Sequence, residues 1–187
     1  MSSDFEHVLR QLKPEKRHHG LKPRDENQLP FIGISPGRIE TLLYDTTVYV
    51  DILEGRFPLG NEAVLRAATA WHSAVTEAEL ATACTSIDPT DPRSRDVVKR
   101  ITRLFDLRPA HRTIAPDREV WQRAGALAGV IARLQRLSKP DRRSILNDAL
   151  IFSTGRKFGH TVLTRNIRDF DFLNQLDPLG RILFYRI

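Results

Sequence analysis

The chain has 187 residues, 41% hydrophobic and 28% charged, enough to fill one globular core with sequence to spare. A formal net charge of +6 and a pI near 9.9 favour a polyanionic partner, nucleic acid first, without identifying it. A single cysteine, Cys84, excludes an internal disulfide, no His/Cys spacing matches a zinc site, and the longest low-polarity run, AGALAGVIA at 124–132, falls far short of the ~20 residues that span a bilayer. With no apolar signal core in MSSDFEHVLRQLK, the expectation is a cytoplasmic protein that does not engage a membrane.

Residues 1–41 differ from the rest. Phe5, Val8, Leu9 and Leu12 fall at helical spacing, and the polar KPEKRHHGLKPRDENQLP that follows is broken by Pro14, Gly20, Pro23 and Pro30. This reads as an N-terminal extension, a short helix and a linker, ahead of a domain over 42–187. Within it, His18 and His19 are adjacent and share no helix face, so they read as solvated rather than metal-binding.

From Leu42 onward, strand-length apolar runs alternate with longer helical patterns, the mark of βαβ units. A strand over 42–45 leads into a helix over 46–55. A helix over 61–71, a strand over 72–76 and a helix over 77–84 follow. The stretch 92–107 is a basic helix with Val97, Val98, Ile101, Leu104 and Phe105 on one side, and 112–115 is a third strand. A helix over 116–137 opens on Pro116; another over 142–158 closes on Gly159. A fourth strand at 161–163, a helix over 169–176 and a last strand at 182–185 complete the chain. The fold class is α/β: a central, mainly parallel sheet between helical layers, in which ligands bind at the carboxyl ends of strands where their order reverses.

Four carboxylates occupy telling positions. Asp45 ends the first strand, Glu79 lies in TEAEL after the second, Asp148 shares a helix face with Ile145 and Phe152, and Asp169 follows the fourth strand. Each alone has an ordinary explanation: a helix cap for Asp45 or Asp169, a surface position for Glu79, an ion pair with Arg142 for Asp148. Gathered at strand ends, they would repel one another unless a cation or protons intervened. A hard cation, Mg²⁺ or Mn²⁺, prefers such oxygen donors and keeps waters that can attack a phosphodiester. Thr46 and Thr47 beside Asp45 are then supporting residues that orient carboxylate or water. Asp51, six residues on, reads as a helix-surface residue.

The blocks YDTTVYVDIL, TEAEL and NDALIFSTGRKFGHTVLTRNIRDFDFL, with the closing strand, resemble a PIN domain of the VapC type, the toxin ribonucleases of bacterial toxin–antitoxin pairs. The resemblance runs from about Leu42 to Ile187 and is strongest over 147–172. It implies a three-layer α/β/α PIN-like domain with Asp45, Glu79, Asp148 and Asp169 as the catalytic acids and Asp45 and Asp148 as metal ligands. Family members often carry an aspartate where this chain has Asn166, so either Asn166 or Asp169 could complete the site. Glu77 is a second candidate for the glutamate. The implied activity is Mg²⁺- or Mn²⁺-dependent cleavage of structured RNA, commonly tRNA or rRNA, silenced by a cognate antitoxin; a homodimer is one open arrangement.

The positive excess lies with this domain, where 22 Lys+Arg face 17 Asp+Glu. Arg165 and Arg168 flank the acids as RNA-binding candidates, and Arg93, Arg95, Lys99, Arg100 and Arg103 line one helix. Trp71 and Trp121 could stack on bases, although aromatic residues in helical patterns are usually core. The competing reading is a non-catalytic RNA- or protein-binding module of the same fold. A phosphotransfer domain fits poorly, since DTT lacks the second aspartate of an Asp-x-Asp signature.

Overall fold

In the computed structural model, residues 4–33 and 40–187 are described; 1–3 and 34–39, both within the extension, lie outside them. The elements are α1 (Asp4–Leu12), β1 (Thr41–Tyr44), α2 (Thr46–Leu53), α3 (Glu62–Ala67), β2 (Thr69–Ser73), α4 (Ala74–Ser86), α5 (Pro92–Asp106), β3 (Thr113–Ile114), α6 (Arg118–Leu134), α7 (Lys139–Phe158), β4 (Thr161–Thr164), α8 (Ile167–Leu176) and β5 (Arg181–Phe184). The sheet runs β3-β2-β1-β4-β5 with every pairing parallel. The chain therefore builds outward from β1 on one side, then crosses back to build β4 and β5 on the other. The reversal falls at β1.

Alternation along the strands divides the core between two faces. Leu43, Val162, Ile182 and Phe184 pack with α6, α7 and α8, together with Val8 and Leu12 of α1. Leu42, Tyr44, Leu163 and Leu183 pack on the other side with Val48 of α2, Leu80 of α4 and Ile101 of α5. Both leucines of β1 are wholly buried, as the middle strand of a three-layer α/β/α domain requires.

Several boundaries differ from the expectation. The segment 61–71 is not one helix: α3 ends at Ala67, and Thr69, Ala70 and Trp71 pair with Thr41, Leu42 and Leu43. Alanine-rich sequence favours a helix, but a parallel partner outweighs propensity. The second strand accordingly ends at Ser73, which caps α4, and Thr76 sits buried in that helix. α6 begins after Asp117, whose carboxylate accepts from Val120 N, and α7 takes Pro140 into its first turn behind the Ser138 cap.

The extension packs on the domain. Val8 and Leu12 are buried, whereas Phe5 and Leu9 of the same apolar set remain partly exposed. Arg133 of α6 donates to the carbonyls of Pro14 and Arg17 at 2.8 and 3.0 Å. Arg24 reaches the buried Asp171 at 2.5 Å and Asn174 at 2.7 Å. Beyond it, Phe31 bridges Phe184 in parallel, with Ile32 N donating to Phe184 O and Phe184 N to Pro30 O, so this segment covers the outer edge of β5.

Candidate active site

β1 and β4 lie side by side and release the chain at the same end of the sheet, at the point of reversal. Asp45 leaves β1 in an extended conformation and caps α2, its side chain accepting from Thr47 N. Its Oδ2 also accepts from the hydroxyls of Thr47 at 2.7 Å and Thr164 at 2.8 Å. Burial pushes the Asp45 carboxyl above the ordinary range, against the opposing pull of those two hydroxyls.

Asp148 enters from the middle of α7 and is also buried. Its carboxyl is held well above the usual range, first by burial and then by the charges of Asp45, Asp169 and Glu79. All four sequence-predicted acids therefore share one neighbourhood. Among the described residues, however, no three Asp, Glu, His or Cys side chains stand together as a ready-made metal cage. What separates the carboxylates is a set of neutral donors. Asn166 Nδ2 donates to Asp148 Oδ2 at 3.0 Å and to Asp169 Oδ2 at 3.2 Å. Asn147 Nδ2 donates to Glu79 Oε1 at 2.8 Å, and Thr46 donates to Glu79 Oε2. The two threonines after Asp45 thus serve different acids.

Asn166 also caps α8, accepting from Asp169 N at 3.4 Å. Its amide lies between two carboxylates where an aspartate would add a third negative charge. Glu77 faces elsewhere, accepting from Thr113 at 3.3 Å and standing 3.6 Å from Arg108.

Arg165 and Asp51 depart from their expected roles. Asp51 is not on a helix surface but wholly buried, bound by Arg165, by the Tyr185 hydroxyl at 2.7 Å and by Arg56 at 3.2 Å. Arg165 is consequently held in an ion pair, with 35% of its side chain still exposed. Its backbone N–H donates to Thr47 Oγ1 at 3.1 Å, which connects the ion pair to the hydroxyl on Asp45. The cause is local: Asp51 lies on the inner side of α2, where an unpaired carboxylate would be costly. Arg168 stays exposed, its guanidinium 5.9 Å from the Phe172 ring centroid.

Sequence reasoning missed Thr164, Asn147 and Asp51 as members of the site and its support. A hydroxyl ending a strand beside Asn166, and an amide next to Asp148, were the available signals. On α5, Arg93 pairs with Asp91 and Arg100 donates to Leu53 O at 2.7 Å, while Arg95, Lys99 and Arg103 are exposed. Trp71 stacks on His160 at 4.7 Å against the core, but Trp121 is 51% exposed. Among the described residues no helix is long and apolar enough to cross a membrane.

No protein-family profile matches the sequence, and no curated protein is similar to it. Solved structures are similar in fold. A chain of FitAcB from Neisseria gonorrhoeae matches with a TM-score of 0.55 and 19% identity, over 77% of this chain and 96% of that one. A chain of DNA-bound VapBC from Salmonella typhimurium gives 0.53 and 20%, over 78% and 98%. A chain of VapBC-1 from nontypeable Haemophilus influenzae gives 0.53 and 15%, over 78% and 96%. At these identities what is shared is architecture: the chain has a three-layer α/β/α, PIN-like fold, as do the matched chains of the VapBC and FitAB complexes.

Proposed function

We propose that the protein is a divalent-metal-dependent endoribonuclease, the toxin component of a VapBC-type toxin–antitoxin pair, acting in the cytoplasm on tRNA or rRNA and restrained by a cognate antitoxin. The observation that carries this reading is the pair Asp45 and Asp148. Both are buried at the switch point, and in both the side-chain donors fall on Oδ2, leaving Oδ1 without a side-chain donor among the described residues. Mg²⁺ or Mn²⁺ fits there, because such ions take one or two carboxylates and keep several waters. When bound, the ion supplies a water of lowered pKa and neutralises charge at the phosphate.

The residues do the rest. Thr47 and Thr164 fix the Asp45 carboxylate, and Asn166 donates to both Asp148 and Asp169. In this reading Glu79, held by Thr46 and Asn147, and the half-buried Asp169 orient the attacking water and take its proton. Arg168 is free to hold an RNA phosphate. RNA cleavage with Mg²⁺ or Mn²⁺ against EDTA tests this, with Asp45→Asn and Asp148→Asn as controls. Products formed by the wild type alone support it; equal cleavage by all three sinks it.

A second reading, a non-catalytic RNA- or protein-binding module, draws on the amide of Asn166 standing between Asp148 and Asp169. Metal-independent RNA affinity with no products under any divalent ion would favour it.

A further inference from the structure

An open groove of about 750 Å³ runs between α4 and the opening turns of α6 and α7. Val75, Ala78, Leu146 and Leu150 contribute apolar wall; Trp121 and Arg143 stand at its rim. Glu79 and Asn147 line it too, so the groove opens directly onto the acid site. Its volume is that of a pocket for a small organic group, within the usual ~300–1,000 Å³.

Two features distinguish it from an ordinary surface hollow. Trp121 leaves 51% of its surface exposed there, whereas Trp71 is packed on His160. A large flat indole in water, with no ring partner, is the group on which a nucleobase stacks. Basic side chains border it on the α7 side. Arg143 is exposed and makes no ion pair among the described residues, and Lys139 and Arg142 are exposed on the same turns of α7. Of the nearby acids, Asp117 and Glu119 share Lys157 at 2.7 and 2.5 Å, while Asp141 and Glu79 are held by the neutral donors Ser138, Thr46 and Asn147 and keep their charge.

We propose that this groove is an RNA subsite, in which an unpaired nucleobase stacks on Trp121 while Arg143 holds an adjoining phosphate, placing the neighbouring phosphodiester at the acids. The proposal rests on the nuclease reading for that last step, but not for binding. It makes the substrate an RNA with an unpaired nucleotide beside the cut. A duplex cannot present a base face to the indole, whereas a loop or bulge can.

The test uses the full chain carrying Asp148→Asn, so that binding is read without cleavage, and a fluorescein-labelled single-stranded RNA of mixed sequence alongside the same RNA as a perfect duplex. Trp121→Ala should weaken single-strand binding roughly ten-fold or more, Trp121→Phe should keep it within about three-fold, and duplex affinity should change in neither. Arg143→Ala should weaken binding and flatten its salt dependence by about one ion. Single-stranded RNA should also quench tryptophan emission in the parent and not in Trp121→Phe. Equal single-strand affinity of the parent and Trp121→Ala overturns the proposal. So does a change in sedimentation on Trp121→Ala with RNA affinity unchanged, which would make the groove a contact between copies. If the wild type cuts no RNA but Trp121-dependent binding persists, the nuclease reading fails and the subsite stands.

Discussion

Asp51 and Arg165 form a two-point ion pair, Nε to Oδ2 at 2.7 Å and Nη2 to Oδ1 at 3.2 Å, that fastens α2 to the turn leaving β4. Asp45 begins α2, and Thr164 ends β4. The pair therefore sets the distance between the two segments that meet at the Asp45 carboxylate, and the Tyr185 hydroxyl ties the end of the chain to the same point.

Removing either partner should have unequal consequences. Asp51→Ala leaves Arg165 and Arg56, 35% and 47% exposed, able to turn to water, and should cost about 1 kcal/mol in urea unfolding. Arg165→Ala should cost more, about 3 kcal/mol, because it takes the two-point partner from the wholly buried Asp51 carboxylate. Arg165→Lys keeps the charge but loses the two-point geometry and should recover only part of the loss. Equal stability of Asp51→Ala and wild type would refute the structural role.

Asp148→Asn should stabilise the metal-free protein while abolishing RNA cleavage. Burial and three neighbouring carboxylates hold its acid far above the ordinary range, and an amide removes the repulsion at constant volume. A gain of about 1–2 kcal/mol in EDTA is expected. Added Mg²⁺ should raise the melting temperature of the wild type and leave the variant unmoved. Calorimetry with and without the ion measures both.

His72 should make the fold acid-sensitive. Burial, then the charges of Arg108 and Arg112, lower its pKa from 6.5 to about 4, while the Tyr49 hydroxyl contacts its Nδ1. Between those two values the unfolded chain takes up a proton that the folded chain refuses. Stability is fully present above about pH 6.5 and is lost as the pH falls toward 4, by at most about 3 kcal/mol. The raised carboxyls of Asp45 and Asp148 act in the opposite direction, so the informative quantity is the difference between wild type and His72→Gln. Urea midpoints across this window should diverge as the pH falls; parallel curves would remove His72 from the account.

Gly180 lies against the buried ring of Phe152, where an added Cβ would come within 2.2 Å of Cζ. Gly180→Ala should cost about 1–3 kcal/mol through overpacking. A thermal melt indistinguishable from wild type would show that the ring can move aside.

The alternation of elements and the four acids were legible because both follow from one-dimensional pattern: strand-length apolar runs between helices, and carboxylates at their ends. The order of the strands was not, since a mainly parallel sheet is compatible with several crossovers until pairing is seen. Asp51 and Arg165 were misread for a related reason. Sequence places Asp51 on α2 but not which side of that helix faces the sheet, and a charged residue is by default assigned to water. The strand at Thr69–Ser73 was hidden by an alanine-rich composition that only long-range pairing overrides.

The bridge between Phe31 and Phe184 joins segments that lie far apart along the chain. Asp45 likewise depends on Thr164, and Glu79 on Asn147. A chain still emerging from the ribosome can form α1 and the β1–β2 half, but it has nothing to lay Pro30 and Phe31 against and no partner for its acids. Contacts of such long sequence separation close late. The carboxylates therefore come together only once β4 and α8 have been made, so a chain stalled before β4 carries every earlier motif and none of the assembled site.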